Sequence, residues 1–147
     1  MPRTRPYLER TTFERAATNL RKTTILFEKS EYAMTVVRAM TVVELYLDGI
    51  LEDRMRQVFQ NRKLITIVLR RLTFEEKHSL LMKELFGVGL AQICGQQAAA
   101  LPAIRRERND IVHRGTFSKR ASAERAMNVA VSIIKKVHGA LTLKSGV

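Results

Sequence analysis

Arg108 and His113 are the residues best suited to chemistry in this chain. They lie in the run Arg105-Arg106-Glu107-Arg108-Asn109-Asp110-Ile111-Val112-His113-Arg114-Gly115, which reads as one helix at about 100° per residue. Leu101, Ile104, Ile111 and Val112 then form an apolar stripe, and Arg108 falls near its middle, where a leucine is expected. A charge placed there needs a partner, a ligand or water, because an unpaired buried charge is very costly. Histidine is the one type of side chain whose unperturbed pKa lies near neutrality. An arginine in an apolar groove beside a histidine suggests chemistry on a phosphate: a fixed cationic fork for the oxygens and a group that moves a proton.

The spacing constrains how these residues can meet. On an ideal helix Arg105, Asn109 and His113 form a polar row at i, i+4 and i+8. Arg106–Asp110 and Asp110–Arg114 are i, i+4 pairs, expected as solvated ion pairs that support the helix. Arg108 and His113 stand about 140° apart on a straight helix, so they share no face. A kink, a helix end near Gly115, or a second copy of the motif from another subunit would bring them together. Glu44 is a second oddity, flanking an apolar stripe between Val37, Met40, Leu47 and Leu51. A half-buried glutamate seeks a cation, and Arg108 is a plausible one; the alternative is a glutamate snorkelling to water at the stripe's edge.

The elements that position these residues are expected to be helices. Gly and Pro are scarce, at 7 and 3 residues, and helix-forming types dominate. The expected fold is all-α, a compact bundle of about five or six helices forming one domain over residues 1–147, with residues 1–10 as a basic N-terminal arm. Thr11-Thr12-Phe13-Glu14 and Thr73-Phe74-Glu75-Glu76 fit capping boxes. The first opens a helix to about Glu28. A long second helix runs from near Ser30 to about Gln60, with Val36, Met40, Val43, Leu47, Ile50 and Leu51 on its apolar stripe. Residues 64–69 are rich in β-branched types, but with no partner strand in view they read as a short buried helix. The box at Thr73 opens a helix ended by Gly87, and Gly87-Val88-Gly89 reads as a hinge. The motif helix spans Gln96 to Val112, with Pro102 at its first turn or kinking it, and Gly115 stops it. The last helix begins near Ser118 or Ser122, reaches about Leu141, and buries Ala126, Val129, Ala130, Ile133, Ile134 and Val137.

Composition narrows the partners. The formal net charge of +12 favours polyanions such as RNA, DNA or an anionic membrane surface; the plainer alternative is solubilising Lys and Arg. No stretch is long and uncharged enough to span a bilayer, and the N-terminus lacks the apolar run of a signal peptide. Cys94 is the single cysteine, which fits a reducing cytoplasm and a small core residue rather than a nucleophile. His78 and His138 read as surface or helix-terminal residues. No HExxH or CxxC spacing, Walker loop, dinucleotide fingerprint or nucleophile elbow occurs, so neither a metal nor another cofactor is expected.

The run Arg108-Asn109-Asp110-Ile111-Val112-His113 resembles the Arg-x4–6-His motif of the HEPN superfamily of small all-helical domains. Arg71 and His78 satisfy the same spacing, but lack the Asn after Arg and straddle the helix start at Thr73. Around Arg108 the context is fuller: Asn109 after the Arg, apolar Ile111-Val112 before the His, Gly115 following, and an amphipathic closing helix. Val42-Val43-Glu44-Leu45-Tyr46-Leu47 also resembles the long second helix of such domains. The helical material between Leu64 and Gly95 departs from the pattern. The resemblance implies a metal-independent endoribonuclease in a toxin–antitoxin or phage-defence setting, acting as a homodimer with a possible antitoxin or regulatory partner. It implies catalytic roles for Arg108, His113 and Asn109, support from Glu44 and Asp110, and an RNA path along Arg105, Arg106, Arg114, Lys119 and Arg120. Two other readings stay open: a HEPN-like module that binds RNA or nucleotides without cutting, and a helical protein-interaction domain in which Arg108 is structural.

Overall fold

The Thr11 hydroxyl accepts from the Glu14 amide and so starts the first helix where the sequence indicates. In the computed structural model, which describes residues 6–144, α1 spans Thr12–Glu28 and α2 spans Tyr32–Val58. The short α3 covers Arg62–Arg71, capped by the Asn61 side chain. Helix α4 (74–86) opens on the full capping box between Thr73 and Glu76 and contains a five-residue π stretch, Lys77–Leu81. Gly87 ends it in the left-handed region, at φ +77°, a conformation glycine adopts without steric cost. Helix α5 is Leu90–Arg114 and α6 is Arg120–Lys144. Among the described residues every regular element is helical, as the scarcity of glycine and proline predicts.

The four long helices share one core. Helix α2 is central and packs on α1, α5 and α6, and α6 also packs on α1 and α5. Val36, Met40, Val43, Leu47 and Leu51 of α2 are fully buried, with Ile50 at the margin. Ala126, Ala130, Ile133, Ile134 and Val137 are the buried face of α6, and Val129 is half-buried. These are the stripes that 3.6-residue periodicity predicts. No described helix is long and apolar enough to cross a membrane.

Three expectations need correction. Helix α3 is not buried: only Ile65 goes inside, while Leu64 and Ile67 are exposed. It lies against α2 at the edge of the bundle, so one side of a short helix finds cover and the Arg and Lys at its ends stay in water. The motif helix begins at Leu90 rather than Gln96. Its break is at Cys94, whose φ and ψ of −134° and 50° interrupt the helix, and Pro102 lies well inside it. Residues 1–5 of the expected basic arm lie outside the described residues, and the part that follows is held against α1. Tyr7–Glu9 forms a 3₁₀ turn, the Tyr7 hydroxyl accepts from Asn19, and Arg10 donates to Thr18 at 3.0 Å. Finally, His78 is buried rather than on the surface. His138 is exposed, as expected, with its ring stacked on Phe13 at 3.8 Å.

Candidate functional site

Helix α5 carries the motif, and its contact with α2 decides which way each side chain faces. Leu101 and Ile104 are buried against the core, which rotates Arg108 toward α2. There Arg108 Nη1 donates to Glu44 Oε2 at 2.8 Å, with the two side chains 18% and 29% exposed. The pairing expected from the two apolar stripes is thus formed. Arg108 Nε also donates to Asn109 Oδ1 at 3.3 Å. Among the described residues Nη2 of Arg108 has no hydrogen-bond partner, so the fork is anchored from behind with a donor left over.

Glu44 serves a second cation. Arg105 Nε lies 3.7 Å from Glu44 Oε1, and the Arg105 guanidinium lies over the Phe74 ring at 4.3 Å. One carboxylate thus faces two guanidinium groups, leaving the cluster net positive. Replacing Glu44 with alanine is expected to lower stability by about 1–2 kcal/mol. That is less than the 3–5 kcal/mol of a fully buried pair, because both guanidinium groups keep some water. Urea denaturation measures it, and an unchanged midpoint would show that Glu44 contributes nothing.

His113 sits in the last turn of α5 and is exposed. Gly115 then turns the chain at φ +64°, and its amide donates to the Ile111 carbonyl. Ser118 Oγ donates to Glu107 Oε1 at 2.6 Å and ties the connecting segment back onto α5. That fold-back leaves Phe117 99% exposed, and Val112 is 59% exposed. Val112 therefore does not belong to the buried stripe, which ends at the half-buried Ile111. Beyond it α5 runs out of core to pack on.

The remaining residues divide. Arg106, Asn109, Asp110, Arg114, Lys119 and Arg120 are exposed around the end of α5, with Arg120 also lying over Phe27 at 5.2 Å. Arg105 does not continue the row of Asn109 and His113, because Phe74 and Glu44 draw it inward. The expected Arg106–Asp110 and Asp110–Arg114 ion pairs are not formed among the described residues. Exposed long side chains gain too little from pairing to be fixed in one geometry. Cys94 is buried, and burial pushes its thiol up to about 11, which suits a core residue. The decoy pair separates, with Arg71 exposed on α3 and His78 inside α4.

Sequence reasoning missed the grouping of Phe74, His78 and Arg105. Phe74 and His78 meet edge to face at 4.2 Å, a contact that their i, i+4 spacing on one helix permits. Their meeting with Arg105 depends on how α4 sits against α5. No family model, curated protein or solved structure gives a significant match to this chain.

Proposed function

We propose that the chain is a metal-independent endoribonuclease of HEPN type, acting as a homodimer in a toxin–antitoxin or phage-defence setting. The observation that supports it most is the anchored Arg108 fork, one turn and a half before an exposed His113 at the end of the same helix. RNA carries its own nucleophile, the 2′-hydroxyl. Attack forms the 2′-oxygen–phosphorus bond and breaks the bond to the 5′-oxygen. His113 serves the acid–base steps, in which the 2′-hydroxyl loses a proton and the leaving oxygen gains one. Arg108 holds the non-bridging oxygens as charge grows on them. Asn109 accepts from Arg108 and sets the fork's orientation. The products are a 2′,3′-cyclic phosphate and a 5′-hydroxyl.

Arg108 faces α2 while His113 faces water, so a pair of subunits is the simplest way to bring an arginine to a histidine. Exposed Val112 and Phe117 beside His113 offer apolar surface for that pairing. Arg106, Arg114, Lys119 and Arg120 follow the RNA backbone from there. A second reading is favoured by the 2.8 Å Glu44 pair itself, in which Arg108 serves only as a structural ion-pair residue.

Purified protein incubated with a fluorescent RNA in EDTA, beside the His113→Ala variant, separates the two. Cleavage by the parent alone, with cyclic-phosphate ends, is the expected result. Intact RNA in both lanes would leave a binding or partner-docking role in its place.

A further inference from the structure

A cavity of about 400 Å³ opens between α4 and α5, away from His113. It is walled by Phe74, His78, Leu90, Leu101, Pro102 and Arg105. That volume falls in the range of small-molecule sites, roughly 300–1,000 Å³. Its polar groups are what set it apart from a packing defect. His78 is only 4% exposed, yet neither ring nitrogen has a hydrogen-bond partner among the described residues. Arg105 Nε is also buried without a hydrogen bond, since Glu44 at 3.7 Å supplies charge but lies beyond bonding distance. Leaving such groups unpaired costs about 1–3 kcal/mol each, so the wall between His78 and Arg105 is polar and incompletely satisfied. His78 also lies in the π stretch of α4, an irregularity found mostly as single turns and frequently at functional sites.

The lining selects the ligand. Leu90, Leu101, Pro102, Ala98 and the Phe74 ring are apolar walls suited to a flat hydrocarbon body. Arg105 and Lys83 bring positive charge, and Glu75 brings a single negative one. The His78 ring is uncharged at neutral pH, because burial and the cations of Lys77 and Arg105 hold its pKa down to about 4. It therefore adds no charge to the cavity wall. A multiply charged polyphosphate would be poorly served by walls this apolar, whereas one carboxylate matches one guanidinium fork.

We infer that this cavity is a binding site for a small aromatic carboxylic acid, its ring on the apolar walls and its carboxylate on Arg105. The inference does not depend on RNA cleavage, and it assigns Arg105 to the cavity rather than to an RNA path.

Titration calorimetry with 2-naphthoate tests it, using 2-naphthalenemethanol and uridine monophosphate as comparisons. Expected is binding of one naphthoate per chain, with the neutral alcohol at least about tenfold weaker. Arg105→Gln should weaken naphthoate by about tenfold or more. Ala91→Phe, at an exposed position on the cavity wall, should block entry while leaving the core intact. Circular dichroism checks that both variants are folded. No heat with millimolar naphthoate would overturn the site, as would binding unchanged by Ala91→Phe. Equal affinity for the neutral alcohol would overturn the carboxylate assignment. Tighter binding of uridine monophosphate would overturn the ligand class.

Discussion

Two inactive variants, Arg108→Ala and His113→Ala, are expected to regain RNA cleavage when mixed and allowed to exchange subunits. Each alone should lose at least about a hundredfold in rate, the scale for removing an acid–base group or a charge-stabilising donor. In a mixed dimer one composite site lacks both residues and the other keeps an intact Arg108 from one subunit and His113 from its partner. Random pairing in a symmetric dimer then restores about a quarter of the parent activity. The physical ground is the geometry of α5. Arg108 is turned to Glu44 on α2, His113 is exposed at the helix end, and five residues of helix rotate them about 140° apart. A site built within one subunit would give no recovery, because every pairing would leave each site short of one residue. Fluorescent RNA hydrolysis before and after subunit exchange reads the result, and persistent inactivity would overturn the shared-site arrangement.

Stability is expected to fall as the pH drops from about 6.5 to about 4, through His78. In the folded chain burial, then Lys77 and Arg105, push the His78 pKa down to about 4. The nearby Phe74 carbonyl opposes them without a hydrogen bond of good geometry. Unfolded, the ring titrates near 6.5. Between those values the unfolded chain binds a proton that the folded chain refuses, so acid favours unfolding. Full stability from this group is present above the unfolded value, and up to about 3 kcal/mol is lost by the folded one. Carboxylates add their own pH dependence, so the informative quantity is the difference between the parent and His78→Leu in urea melts at pH 7 and pH 4.5. The variant should lose less stability over that interval. Equal losses would show that His78 titrates normally in the folded chain.

The Arg108–Glu44 pair bears on both readings of this protein. As a structural contact it only needs to persist. As part of a nuclease it holds the fork from behind, so the free donor meets phosphate without the entropy loss of ordering a long side chain on binding. Glu44 also faces Arg105, which reaches the α4–α5 cavity. A ligand carboxylate on Arg105 would therefore compete for the charge that Glu44 shares with Arg108, linking the cavity to the motif through one carboxylate.

By itself the sequence determined the helices, most of their ends and most of the core. Thr11, Thr73, Gly87 and Gly115 act on their own neighbours in the chain, so capping and left-handed turns are legible locally. The stripes of α2 and α6 follow from a fixed helical period, and Arg108 stood out because it broke such a stripe. Even its partnership with Glu44 followed from matching two irregularities on facing stripes. Only the tertiary structure decided what depends on the distance between helices. Residues 64–69 of α3 have the composition of a buried segment, but their place at the bundle's edge leaves Leu64 and Ile67 exposed. Val112 continues an apolar pattern past the point where the core ends. His78 looks like any polar helix residue until α5 closes over α4 and removes water from it, and Arg105 joins a surface row until Phe74 and Glu44 draw it inward. Burial is a property of the surroundings, and the surroundings of His78 and Arg105 come from residues far away in the chain.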